Sequence, residues 1–157
     1  MAGRTRAVLA VATILLALVL HFAIYLTTAK TIEFTVSSTA GWLATHVVLG
    51  RNSIVHIGYV SGAWSVDKSN YVTIGPEGYD QQTDTQIWNP SLCKLLQNAS
   101  YGTLLGKIGD GSVFMVGRDR WLLAENAGEI YLSINDAAAC LADNQGQITV
   151  RITAGTP

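Results

Sequence analysis

After Lys30 the hydrophobic pattern changes from continuous to alternating, and that change constrains the fold more than any other feature of the chain. In "TIEFTVSS" the side chains of Ile32, Phe34 and Val36 share one face, and in "SIVHIGYV" those of Val55, Ile57 and Tyr59 do. A repeat of two is the mark of a half-buried strand. "NYVTIG", "GTLLGKIG", "SVFMVG", "GEIYLSIN" and "GQITVRIT" have the same character, and Gly, Asn, Asp and Pro divide them at short intervals. One stretch departs from the pattern: in "NPSLCKLLQNA", Asn89 to Ala99, Pro90 is placed to open a short helix bearing Leu92, Leu95 and Leu96. Many short strands with few helices predict an all-β domain over residues 31–157, an antiparallel β-sandwich of the jelly-roll type.

The N-terminus reads differently. Only 13% of the 157 residues are charged, mean hydropathy is +0.29, and the apolar excess is concentrated between Ala7 and Leu26. A helix of that length would be about 30 Å long, the thickness of a bilayer's hydrocarbon core. Arg4 and Arg6 before it, with Lys30 beyond it, predict a single-pass membrane protein with residues 1–30 as signal anchor, its N-terminus cytoplasmic and its C-terminal domain periplasmic or extracellular. The run is longer than the usual apolar region of a cleaved signal peptide, about 7–15 residues, which favours a retained anchor. His21 lies within it, and an ionisable group at membrane depth usually faces protein or water. On this reading His21 contacts other transmembrane subunits, and the partners are membrane lipid and those subunits.

The formal net charge is -1 and the isoelectric point about 6.3, without a basic cluster after the anchor, which argues against nucleic acid as a partner. The enzyme templates fail in turn: HExxH, GxSxG and CxxC are all missing, and "GTLLGKI" is one residue short of a phosphate-binding loop. His46 and His56 lack a third nitrogen or thiolate ligand for zinc. Asp80 with Asp84, and Glu125 with Glu129, are near in sequence, but nothing sets one carboxyl's surroundings apart from the other's, as acid–base catalysis requires. These absences predict a protein that is not an enzyme. Cys93 and Cys140 could sustain a disulfide in an oxidising compartment, and their spacing leaves open whether they meet.

The remaining chemistry is in "NDAAACLADNQG", Asn135 to Gly146. Asp136, Asp143 and Asn144 offer side-chain oxygens, and a loop that closes back on its start would bring them together while exposing backbone carbonyls. Calcium takes six to eight such oxygens. The spacing is not that of an EF-hand, and Asp and Asn at strand ends also cap turns through their own side chains.

The same segment, extended to "GEIYLSINDAAACLADNQGQITVRI", resembles the C-terminal calcium-site segment of the PA-I galactophilic lectin family. There a strand ending in Asn-Asp is followed by a loop, a closing Asn-Asn or Asp-Asn pair, a small residue, Gly and a last strand. "EFTVSSTAGWLATHVVLGRNSIVHIGYVSGAWSV" is similar to the family's opening hairpin, and "IGPEG" and "LLGKIGDGSVFMVG" to its central segments, so the likeness spans Glu33 to Ile152 in order. It implies Ca2+ as cofactor, with Asp136 and Asn144 as side-chain ligands. Asp143 stands where the family has an Asn that contacts calcium and sugar, and Cys140 where it has a Thr that gives a backbone carbonyl. A further carbonyl is expected from Val66 or Asp67. The family's His and Gln that touch the sugar's primary hydroxyl lack a clear counterpart in "YDQQTDTQIWNPSLC", where Gln81, Gln82 and Trp88 are the nearest substitutes. Asp136, Asp143, Gln82 and Trp88 are then the expected carbohydrate-binding residues, with a galactose-type glycan as ligand. The expected function is a membrane-anchored, calcium-dependent binding module. The alternative is a structural accessory subunit of a respiratory or photosynthetic membrane complex.

Overall fold

The computed structural model describes residues 2–87 and 90–155. Helix α1, Ala2–Thr28, is followed by strands β1 (Lys30–Ser37), β2 (Leu43–Leu49) and β3 (Ile54–Ser65). Two short helices come next, α2 (Gln81–Gln86) and α3 (Pro90–Cys93). Strands β4 (Leu104–Ile108), β5 (Phe114–Met115), β6 (Asp119–Leu123) and β7 (Gly128–Ile134) follow. A 3-10 helix, Ala138–Asp143, then leads into β8 (Gln145–Ala154). The strands form two antiparallel four-stranded sheets, ordered β1-β8-β3-β6 and β2-β7-β4-β5. The all-β sandwich expected from the alternation is therefore present.

The period-two rows supply the core. On the first sheet Val36 is opposite Ile148, and Phe34 opposite Val150; Val55, Ile57, Ile148, Val150 and Ile152 are all buried. Leu104, Ile130, Leu132 and Ile134 face them from the second sheet and are equally buried. Each such side chain contributes roughly 1.5–3 kcal/mol relative to exposure. The alternate residues of the first sheet form an outer polar face, where Thr31 meets Thr153 at 2.9 Å and Arg151 donates to Glu33 at 2.8 Å.

Two expectations change in detail. "NYVTIG" makes only an isolated bridge, Trp64 to Ile74. The Asp67 carboxylate accepts from the Ser69 and Asn70 backbone N–H groups at 2.8 and 3.1 Å and bends the chain out of strand geometry. Pro90 does open a helix, but α3 ends at Cys93, and the N–H groups of Leu95 and Leu96 turn instead to the Asn135 side chain.

The larger correction concerns the N-terminus. The apolar run is helical, yet among the described residues no helix is long and apolar enough to cross a membrane. This overturns the expected single-pass localisation, with cytoplasmic N-terminus and exterior domain. The side chain of His21, the expected contact to membrane partners, lies outside the described residues.

The long β3–β8 ladder positions the site. Its register sets Trp64 against Gly146 and Ser65 against Gln145, so the end of β3 lies beside the loop that enters β8. Gly146 has φ +92°, and a Cβ there would run into the Ala63 carbonyl oxygen. The close approach requires glycine at that position.

Candidate functional site

Three segments meet at this end of the sandwich: the residues after β3, the turn from β7 into the 3-10 helix, and the stretch around α3. Trp64, fully buried, donates from its indole nitrogen to the Gly102 carbonyl at 2.7 Å. Behind it the Ser65 hydroxyl donates to the carbonyls of Asp67 and Tyr71, at 2.9 and 3.0 Å, and lies 3.0 Å from the Tyr79 hydroxyl. The backbone of Val66 and Asp67 is thereby held. The Lys68 N–H donates to the Asp143 carbonyl at 3.0 Å and ties this segment to the 3-10 helix.

On the opposite wall Cys93 and Cys140 form a disulfide, with Cα atoms 5.9 Å apart. The Ala137 N–H donates to the Cys93 carbonyl at 2.6 Å. Asn135, fully buried, completes the wall: its Oδ1 accepts from the Leu95 and Leu96 N–H groups, and its Nδ2 donates to the carbonyls of Leu96, Ala99 and Ser100. Lys94, with its side chain 7% exposed, pairs with Asp84 at 2.6 Å, and Asp84 also accepts from the Tyr101 N–H at 2.6 Å.

These walls enclose a cavity of about 290 Å³. Four of the expected site residues line it: Asp136, Asp143, Cys140 and Val66. The fifth, Asn144, is 4% exposed. Its Nδ2 donates to the Ser38 carbonyl at 2.9 Å, while its Oδ1 is buried without a hydrogen-bond partner. Asp136 is 2% exposed. Burial pushes its carboxyl up to about 7; the Asn144 side chain draws it back in part, and the Asp143 charge adds to the rise. Tyr101 in the same wall is pushed up to about 12 by burial and by the charges of Asp136 and Asp84.

The expected sugar contacts fare differently. Gln82 is exposed on α2 and is not among the residues lining the cavity, and Trp88 lies outside the described residues. Lining residues that the sequence pattern did not single out are Asn70, Tyr71, Ile87 and Tyr101, and Asp67 lines the cavity beside Val66. The Asn70 amide donates to Asp67 at 2.6 Å, and that hydrogen bond is the largest influence holding the Asp67 carboxyl below its ordinary range. The Asp-x-x-Asn spacing was the available signal.

The chemistry of the donors is hard. The Cys93 and Cys140 sulfurs and an Asp136 oxygen lie within 4.8 Å of one another, but the sulfurs are bonded together and offer no thiolate. That leaves carboxylate, amide and carbonyl oxygens, the donor set calcium takes. A buried amide oxygen with nothing to accept, next to a buried carboxylate, is the arrangement a bound cation would satisfy.

No family model matches the chain, and no curated protein matches it in sequence. Among solved structures the chain is similar to the EclA N-terminal domain, a PllA-like lectin, with a TM-score of 0.60 and 18% identity over 79% of this chain and 97% of that one. At this identity the likeness concerns the fold alone, and the sandwich is lectin-like.

Proposed function

We propose that the protein is a non-enzymatic, calcium-dependent carbohydrate-binding module. Asp136, Asn144 and Asp143, with the backbone carbonyls of Cys140 and Val66, would hold the ion. The observation that carries this reading is the Asn144 Oδ1, buried and without a partner beside the buried Asp136 carboxylate, because an orphaned acceptor of this kind costs about 1–3 kcal/mol unless a donor or cation meets it. Calcium held by these residues would supply a hard positive centre with coordination positions open to sugar hydroxyls. The chain's own part is to fix those oxygens from three segments and to leave an open cavity of monosaccharide size above them.

Three of the four carboxylates that a catalytic reading would pair have structural partners. Asp80 accepts from the Thr83 N–H at 2.7 Å and caps α2, Asp84 holds Lys94, and Glu129 accepts from the His46 N–H at 2.7 Å. These roles support binding rather than catalysis. The accessory-subunit alternative relied on a membrane-crossing helix, and among the described residues no helix is long and apolar enough to be one. Isothermal titration with calcium, then with a galactoside at saturating calcium, tests the proposal. Saturable calcium binding followed by calcium-dependent sugar binding is the expected result. Sugar titrations that stay flat in saturating calcium would overturn it.

A further inference from the structure

We propose that Asp67 makes this cavity selective by charge, so that it takes neutral sugars and, best of all, hexosamines with a free ammonium group, and rejects uronic acids. This rests on the calcium–carbohydrate reading above and names the ligand class within it. Three acidic residues line the cavity, Asp67, Asp136 and Asp143, and among the described residues no Lys, Arg or His does. Of the neighbouring cations, Lys94 is buried against Asp84 at 2.6 Å, and Lys68 lines an adjoining depression that shares Asp143 and the disulfide with the cavity.

A calcium ion held by Asp136 and Asp143 is neutralised by them, which leaves the charge of Asp67 in excess on the cavity wall. That carboxylate is not free to swing away. It accepts from the Ser69 and Asn70 N–H groups at 2.8 and 3.1 Å and from the Asn70 side-chain amide at 2.6 Å. The orphaned Oδ1 of Asn144, a residue only 4% exposed, marks the cation's place independently of the acidic residues. A sugar ammonium in the cavity therefore meets an uncompensated anion, whereas a uronate meets a like charge across a few ångströms of partly excluded water.

The intact chain, at calcium concentrations that saturate each variant, is titrated with a methyl galactoside, galactosamine and galacturonic acid at low and at high salt. The expected order of affinity is amine, neutral sugar, acid, with about a tenfold gap between amine and acid at low ionic strength that narrows as salt is added. Asp67→Asn keeps an oxygen for the turn's N–H groups and is expected to shrink the gap to about twofold. Equal affinity for amine and acid in the wild type, or an unchanged gap in Asp67→Asn, would overturn the inference and leave the carbohydrate reading standing. Calcium binding with no binding of any of the three sugars would overturn that reading and this inference with it. Should Asp67→Asn fail to fold, the wild-type gap and its dependence on salt decide the matter.

Discussion

The Asn144 amide nitrogen donates to the Ser38 carbonyl at 2.9 Å, and this bond orients the amide so that Oδ1 stays buried without a partner. Ser38 lies just beyond β1, and its own N–H and hydroxyl donate back to the Gly146 carbonyl at 3.1 and 2.9 Å. The loop's closing pair is thus set by the first strand, more than a hundred residues away in the chain, before any ion is considered.

Calcium is expected to raise the melting temperature. An ion that binds only the folded chain adds about 2.7 kcal/mol at a hundredfold excess over Kd, or about 5–10 °C for a domain of this size. Asn144→Ala is expected to weaken calcium at least about tenfold, the loss of one ligand contact worth ~1.4 kcal/mol. Thermal scans with and without chelator measure both effects, and a wild-type midpoint indifferent to calcium counts against the site.

Without calcium, stability is expected to fall as pH rises through the window that Asp136 defines. The folded carboxyl sits at about 7 against an ordinary 3.8, so between those values the folded chain keeps a proton that the unfolded chain has released. Stability from this group is then full below about pH 4, declines as pH rises, and levels off above about pH 7, by on the order of 4 kcal/mol at most. Urea titrations in chelator at pH 5 and pH 8 read the slope. Asp136→Asn is expected to flatten it, and saturating calcium to cancel it by stabilising the ionised form.

Reduction of the Cys93–Cys140 disulfide is expected to cost about 4 kcal/mol, from the entropy of a loop closed over 47 residues. It should also loosen the cavity wall, since α3 and the 3-10 helix are joined there. A Cys93→Ser, Cys140→Ser double variant compared with the wild type by denaturant titration gives the number. Calcium affinity measured on the same samples shows how far the staple holds the site in shape.

The sheets were legible because burial on one face imposes a repeat of two: Ile148, Val150 and Ile152 declare their face without help from the rest of the chain. The site was legible only in part. Asp136, Asp143 and Asn144 fall within one short stretch and could be read as a unit, whereas Cys140, and Val66 or Asp67, entered only through the family resemblance. Asn70, Tyr71 and Tyr101 were not legible, because what brings them to the cavity is the β3–β8 register and the disulfide rather than any local spacing. The same holds for the helical expectation at Leu95 and Leu96, where a side chain forty residues on captured the backbone N–H groups. The apolar run at the N-terminus shows the opposite limit. Its helix was legible, but the environment expected of it was not supported.

Asn135 supplies the most demanding test of the wall. One fully buried side chain accepts two backbone N–H bonds at 3.0 and 2.9 Å and donates to three carbonyls at 3.0–3.1 Å. An amide is the group that can do both, with an acceptor oxygen and a two-proton nitrogen on one plane. Asn135→Ala should cost at least about 3 kcal/mol, since it strands several buried backbone groups at once. Asn135→Asp keeps the shape but turns a carboxylate oxygen toward the carbonyls of Leu96, Ala99 and Ser100, and it should be no milder. Denaturant titration of the two variants separates the alternatives: if Asn135→Asp is close to wild type while Asn135→Ala is not, the side chain fills space and its donor face is idle.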